Sequence, residues 1–473
     1  MRIAIILLAL FVLIALPANA QENTRVAGDW QGALQVGGAS LKIVFHIERG
    51  DDGQLTAKLD SPDQGAFGIP VGTTTFLDDA LTLRLPALMA SYEGTLSIDG
   101  LRLIGTWSQG GQSFPLAMEK ADAIQGPNRP QEPHPPYAYR VEEVTIETPT
   151  AGVTLAGTLT LPEGSGPHPG VVLISGSGPQ DRNEELFGHK PFLVLADHLT
   201  RNGIAVLRYD DRGVGGSTGD IAQATSLDFA TDARAAFDFL ARHAGIDARN
   251  VGLIGHSEGG LIAPIVAGDD ARVAFIVMLA GPGIPGDSLL ALQTKALLQA
   301  AGVGGPLVEK SLAFNRGLYR IIRTTDDPAQ LKERASAYYE EQYAALSPLD
   351  RQMMGLSPER KEGLLQQLTS PWMRTFITYD PAPALARLTI PILSLIGERD
   401  MQVPAEPNTR AIEAAFRQAG NTRGKTMILP SLNHLFQTAT TGSITEYGQI
   451  EETFSPAALD AVTSWIRETT ERN

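Results

Sequence analysis

The sequence contains no cysteine. That absence excludes disulfides, thiolate zinc sites, iron–sulfur clusters, a cysteine nucleophile and the lipidated cysteine of a lipoprotein anchor. Positive charge is also short: 38 Lys and Arg stand against 53 Asp and Glu, for a formal net charge of −15. Phosphate backbones are bound by Lys/Arg-rich surfaces, so nucleic acid is excluded as the main partner. Beyond the first twenty residues no apolar run approaches the ~20 residues of a membrane span, so the mature chain is expected to have none. There is no G-x-x-x-x-G-K-[ST] loop and no H-E-x-x-H pair, so no metal or cofactor is indicated. The glycine-rich stretch Gly213–Gly219 lacks the G-x-G-x-x-G spacing and opens no helix directly, which rejects a dinucleotide site. The 48 glycines and 31 prolines follow no collagen-like period, and 43% apolar content is too high for intrinsic disorder.

What is present divides into unlike segments. A length of 473 residues is enough for two or three domains. Residues 1–20 have Arg2 at the start, an apolar run from Ile3 to Leu16 and a small-x-small site at Ala18-Asn19-Ala20. That is the layout of a secretory signal peptide. The expected product is an exported protein, periplasmic or extracellular, cleaved near Ala20; an uncleaved anchor is the alternative. In a disulfide-permissive compartment, a chain without cysteine must be held by its core alone. Residues 21–122 alternate apolar and polar positions, as in Leu41–Ile47 and Leu81–Leu85, with turn signals at Gly50–Gly53, Asp78-Asp79, Asp99-Gly100 and Gly110-Gly111. Period-two alternation with regular turns predicts an antiparallel β domain, a barrel or sandwich. The segments around Trp30 and Trp107 resemble each other weakly, as if first and last strands closed one barrel. No catalytic constellation falls here. Residues 123–138 form a linker in which Pro127, Pro130, Pro133, Pro135 and Pro136 favour an extended conformation.

From residue 139 to 473 strands alternate with helices. Strands are predicted at Val153–Leu161, Val171–Ser175, Ile204–Tyr209, Val251–Gly255, Val273–Leu279, Ile390–Ile396 and Lys425–Leu429. Helices are predicted at Pro191–Arg201, Leu227–Ala244, Glu258–Ala267, Asn408–Gln418 and Pro456–Glu468. Continuous apolar strand runs between helices imply a mostly parallel, doubly wound α/β sheet covered on both faces. Over 283–380 the alternation gives way to polar, helix-like sequence (Lys295–Ala301, Val308–Arg323, Pro328–Leu346, Pro358–Leu368), expected to be a helical cap inserted over one edge of the sheet.

Val251–Gly260 reads as an apolar strand, then Gly255-His256-Ser257-Glu258-Gly259, then a helix start. In such a G-x-S-x-G elbow the turn is tight enough to need Gly255 and Gly259. It lifts Ser257 out at the carboxyl end of the sheet, over the free N–H groups of a helix N-terminus. A serine needs a base to become a nucleophile. The eight histidines are His46, His134, His168, His189, His198, His243, His256 and His434, and only His434 follows Ser257. Elbows of this kind take the chain order serine, acid, histidine. His256 on the turn should point away from Ser257, and it is assigned a structural role, as is His198. Among the acids between Ser257 and His434, Asp400 follows a predicted strand and so sits at the same sheet edge; Glu398 is its rival, and Asp380 lies at the wrong end. Asp400 would fix the tautomer of His434. Developing negative charge needs donors. One is the N–H of Glu258. The second is placed in the loop Ser175-Gly176-Ser177-Gly178-Pro179, at Ser177, with Gly176 and Gly178 allowing close approach. Asp210-Asp211-Arg212-Gly213 is expected to brace the neighbouring loop. Trp372 and Phe376 are either pocket-lining or core residues.

Taken together, Ser175–Pro179 with Asp181-Arg182-Asn183, Tyr209–Gly213, Gly255–Gly260, Gly397–Asp400 with Val403-Pro404, and Asn433–Gln437 resemble α/β-hydrolase carboxylesterases of the EstD type, over about residues 140–473. The resemblance implies an α/β-hydrolase fold with a helical cap, and a serine esterase acting on small, short-chain carboxylic esters with Ser257, Asp400 and His434 as triad. Relatives of the prolyl-oligopeptidase type keep a peptidase or aminoacyl hydrolase open. A cell-envelope binding protein using the β domain is a third possibility. The sequence sets no oligomeric state.

Overall fold

The computed structural model describes residues 24–36, 39–50, 53–62, 66–88, 90–109, 112–121 and 128–471. The expected export signal, the linker residues 123–127 and the turn residues Asp51, Asp52, Gly110 and Gly111 lie outside the described residues. The chain divides between Asn128 and Arg129 into two compact units.

The first unit is one antiparallel sheet of nine strands: β1 Gly28–Val36, β2 Ala39–Arg49, β3 Leu55–Ser61, β4 Ala66–Pro70, β5 Thr73–Leu77, β6 Ala80–Leu85, β7 Ala90–Leu96, β8 Arg102–Gln109 and β9 Gln112–Ala121. Their order is β4-β3-β2-β1-β9-β8-β7-β6-β5. Only Val71 and Gly72 join the two outer strands; their N–H groups donate to Ala57 of β3 and Arg84 of β6, so the sheet curls until its edges meet. Alternation sends one face inward, for example Leu81, Leu83 and Leu85 of β6. Trp30, Phe45, Tyr92 and Trp107 fill the middle, with Phe45 and Tyr92 ring centroids 5.5 Å apart. Full burial of such side chains contributes about 1.5–3 kcal/mol each, which stabilises the unit without crosslinks. The expected pairing of first and last strands needs correcting: Trp107 lies in β8, and β1 pairs with β9. The reading missed β9 because Pro115 interrupts its pattern. That proline lies outside the Met118–Ala121 register with β1, so its missing N–H costs no ladder bond there.

The second unit carries a sheet of eight strands: β10 Arg140–Glu147, β11 Thr154–Leu161, β12 His168–Ile174, β13 Ala205–Tyr209, β14 Ile246–His256, β15 Ile276–Leu279, β16 Ile392–Gly397 and β17 Gly424–Leu429. The order is β10-β11-β13-β12-β14-β15-β16-β17. β11 runs antiparallel to β10 and β13, and every pair from β13 to β17 is parallel. Period-two geometry explains the continuous apolar runs. In β12, Val171 and Leu173 enter one layer while Val172 and Ile174 enter the other. Helices α1 (Pro191–Arg201) and α12 (Pro456–Thr470) cover the first face; α2 (Ser226–Arg242), α3 (Glu258–Asp269) and α11 (Ala405–Ala419) cover the second.

Between β15 and β16 the chain forms α4 Gly286–Ala300, α5 Gly305–Arg323, α6 Pro328–Ala345, α7 Pro348–Met353, α8 Pro358–Leu368, α9 Pro371–Thr378 and α10 Ala382–Leu385. Four of these begin with a capping side chain followed by proline: Asp327-Pro328, Ser347-Pro348, Ser357-Pro358 and Ser370-Pro371. The cap oxygen accepts a first-turn N–H, and proline supplies a preset φ where no donor is needed. Phe314, Leu318, Ala335, Tyr339, Leu356 and Leu365 give this segment an apolar cluster of its own. Sequence periodicity missed β10, α7, α9 and α10 and began α4 nine residues late, at Lys295 rather than Gly286.

Candidate active site

Four segments meet at the carboxyl ends of β12, β14, β16 and β17. Ser257 links β14 to α3 with φ 51° and ψ −114°, a left-handed conformation rare outside glycine and typical of strained functional turns. Its N–H donates to the Leu279 carbonyl at 2.8 Å, and its own carbonyl accepts Gly260 N–H at 2.9 Å. The flanking glycines are required by close backbone approach. A Cβ on Gly255 would lie 1.9 Å from the Gly259 carbonyl, and one on Gly259 would lie 2.1 Å from the Ile174 carbonyl.

Asp400 stands three residues past β16 and His434 five residues past β17. His434 Nδ1 lies 2.8 Å from Asp400 Oδ2, with Asp400 fully buried and His434 exposed by only 5%. Oδ1 of Asp400 accepts the N–H groups of Gln402 and Val403, both at 2.8 Å, which locks the carboxylate plane. The His434 loop is folded over Asn433, whose Oδ1 accepts the N–H groups of Leu435 and Gln437. Glu398, the rival acid, instead caps this loop by accepting Ser431 N–H at 2.9 Å.

The loop after β12 closes the other side. A Cβ placed on Gly176 would be 3.3 Å from Ser257 Cβ, so this loop packs directly against the serine, and Gly178 takes a positive φ of 99°. Gly176 N–H is used by Glu184, at 2.6 Å from Oε1. Among the described residues, the N–H groups of Ser177 and Glu258 donate to no protein acceptor. Two free backbone donors therefore flank Ser257, one from each loop. Asp211 anchors the loop from below, accepting Ser175 Oγ at 2.8 Å and Gln180 N–H at 3.0 Å; burial pushes its carboxyl up to about 8. Its neighbours brace by ion pairs, Asp210 with Arg182 and Arg212 with Asp232.

Sequence reasoning used the Glu258 N–H and offered Trp372 as pocket-lining or core, but missed the buried bonds of these two side chains and missed Glu184. The Glu258 carboxyl, next to Ser257, is buried and accepts Ser226 Oγ at 2.5 Å and Trp372 Nε1 at 2.8 Å; burial raises its pKa. Glu184 pairs with His256, Nδ1 to Oε1 at 2.9 Å. Nothing in Asp181–Glu184 marks the glutamate as buried. Trp372 stacks on Phe376 at 5.3 Å. His198, read as structural, lies on α1 with Nε2 3.6 Å from Asp460 of α12. Among the described residues no three His, Asp or Glu are gathered as a metal cage, and no helix is long and apolar enough to cross a membrane.

A serine elbow in the middle of a mixed eight-stranded sheet, with a His–Asp pair delivered by the ends of β16 and β17, defines the α/β-hydrolase class. The model of the alpha/beta hydrolase family matches residues 171–440, and the chain belongs to that family. It is similar to esterase EstD of Thermotoga maritima, with 28% identity over 300 residues, covering 63% of this chain and 61% of that protein. The chain thus matches about three fifths of that relative's length. Among solved structures it is similar to the α/β hydrolase GrgF of Penicillium sp. sh18, at 17% identity and TM-score 0.42, covering 70% of this chain and 99% of that one. It is also similar to an esterase of Pyrococcus furiosus, at 14% identity and TM-score 0.42, covering 73% and 98%.

Proposed function

We propose that this protein is an exported serine carboxylesterase that hydrolyses short-chain carboxylic esters through an acyl-enzyme on Ser257. The observation that carries the reading is the 2.8 Å bond between Asp400 and His434 at the sheet edge where Ser257 leaves β14. Asp400 accepts a hydrogen bond from His434 Nδ1–H, which fixes the proton on Nδ1 and leaves Nε2 of neutral His434 basic. His434 Nε2 removes the Ser257 Oγ proton as the oxygen attacks the ester carbonyl. The N–H groups of Ser177 and Glu258 receive the oxyanion. The alcohol leaves with the proton returned by His434. Water, deprotonated by the same imidazole, then releases the acid and restores Ser257.

The similarity to esterase EstD favours an ester over an amide. Helices α4–α9 are proposed to cap the site, a role supported by the bond from Trp372 of α9 to Glu258. Export rests on the composition of residues 1–20. The test is reaction with a fluorophosphonate and hydrolysis of p-nitrophenyl acetate and butyrate by the wild type and Ser257→Ala. Both reactions should vanish in a folded Ser257→Ala; full activity in that variant would remove the assignment.

A further inference from the structure

We propose that Glu184 and His256 are positioning residues: a buried pair that ties the oxyanion loop, the nucleophile elbow and the histidine loop into one unit. The proposal rests on the serine-hydrolase reading above and adds two residues to it. Glu184 Oε1 accepts Gly176 N–H at 2.6 Å and lies 2.9 Å from His256 Nδ1. On the other side of the ring, His256 Nε2 lies 3.0 Å from the carbonyl oxygen of His434. One glutamate and one imidazole thus reach the loop of Ser177, the residue before Ser257 and the backbone of the base.

The proton positions follow from the partners. A carbonyl oxygen only accepts, so His256 Nε2 carries hydrogen. With Glu184 ionised, Nδ1 carries hydrogen too and His256 is an imidazolium. Burial pushes this imidazole down, but the Glu184 charge overrides it and holds His256 above its ordinary value. Both side chains are almost wholly buried, at 2% for Glu184 and 8% for His256.

Two features argue against a mere packing role. A buried ion pair is a weak source of stability, since well-packed apolar residues of the same size often do as well. Glu184 also holds φ 53°, a left-handed conformation that costs a non-glycine residue about 1–3 kcal/mol and persists only when its surroundings enforce it. What the arrangement secures is direction. Because Gly176 N–H is committed to Glu184, the next N–H of the loop, that of Ser177, is left free. Because the His434 carbonyl is held by His256, the loop cannot rotate its imidazole away from Asp400. The two histidine rings also pack, with centroids 4.9 Å apart.

The test uses the full chain with Glu184→Met, which keeps volume and removes both acceptors, and Glu184→Gln, which keeps an acceptor for Gly176 N–H. Losing alignment of one oxyanion donor costs about 100-fold in kcat, so Glu184→Met should lose about that with KM changed less than about threefold, and Glu184→Gln, which keeps the Gly176 acceptor but not the charge facing His256, should stop at about three- to tenfold below wild type. Wild-type kcat in Glu184→Met, or equal losses in both variants that follow their melting temperatures, would overturn the proposal. If Glu184→Met does not fold, wild-type kcat in a folded Glu184→Gln overturns it, and a several-fold fall in kcat at unchanged KM supports it. Fluorophosphonate labelling of the wild type separates the two levels. A wild type that does not label removes the serine-hydrolase reading itself. A labelled wild type with insensitive Glu184 variants removes only the positioning role.

Discussion

The indole Nε1 of Trp372 lies 2.8 Å from Oε1 of Glu258, which ties helix α9 to the residue that follows Ser257. An indole N–H can only donate, and the buried carboxyl has Ser226 Oγ as its other side-chain partner. Trp372→Phe keeps the stack on Phe376 but removes this donor. An acceptor left short in a buried site costs about 1–3 kcal/mol, so the guanidinium midpoint of the hydrolase unit should fall accordingly. An unchanged midpoint would mean that the helix is not held to the elbow in solution.

Asp400→Asn should separate geometry from charge. The Asn Oδ1 can still accept the N–H groups of Gln402 and Val403. Its Nδ2 would then face His434 Nδ1 and donate to it, which forces the proton onto Nε2 and removes the lone pair that Ser257 needs. The wrong tautomer should cost roughly 10⁴ in kcat with little change in melting temperature. A loss of tenfold or less would indicate that another acid, Glu398 being nearest in sequence, orients His434.

The α/β architecture was legible because the inner strands β12 to β16 are buried on both faces, which leaves apolar runs such as Val171–Ile174 separated by amphipathic helices. The elbow was legible because glycine has no substitute where a carbonyl passes 1.9 Å from a Cβ position. His434 emerged by elimination among the eight histidines. Glu184, Ser226 and the bond of Trp372 to Glu258 were not legible, since each depends on a buried hydrogen bond to a residue far along the chain, and local pattern carries no trace of such a bond. β10 was missed for a related reason. It is an edge strand with a Glu142-Glu143 pair, and its place comes from the β11 register rather than from its own apolar content.

Gly259→Ala should be far more damaging than its one added methyl suggests. The new Cβ would meet the Ile174 carbonyl at 2.1 Å and the Ser175 carbonyl at 2.8 Å; both are backbone atoms of the core strand and the oxyanion loop. Relief requires moving that loop away from Ser257. The expected result is a destabilisation of about 3 kcal/mol or more, together with loss of fluorophosphonate labelling. Gly363→Ala is the control. That glycine is exposed inside α8 with nothing within 4 Å of its Cβ position, so alanine should stabilise by about 0.5–1 kcal/mol. Equal effects at the two sites would contradict the crowding seen at Gly259.

The N-terminal unit carries its own pH dependence. His46 lies between two carboxylates, with Nε2 2.9 Å from Asp60 Oδ2 and Nδ1 2.7 Å from Asp29 Oδ1. The bond to Asp60, then that to Asp29, acting against burial, pushes the imidazole from 6.5 up to about 9. The native state therefore binds a proton that the unfolded chain releases between those values. Where the folded pKa is the higher one, stability falls as pH rises. The contribution is fully present below 6.5 and lost as pH climbs through about 9. Calorimetry of the full chain should show the transition of the β unit dropping between about pH 6 and about pH 10, beyond any shift of the hydrolase transition. His46→Gln keeps hydrogen bonding without a titrating proton and should flatten that difference. A β-unit transition with the same pH slope in wild type and His46→Gln would show that the pair of carboxylates does not hold a charged histidine.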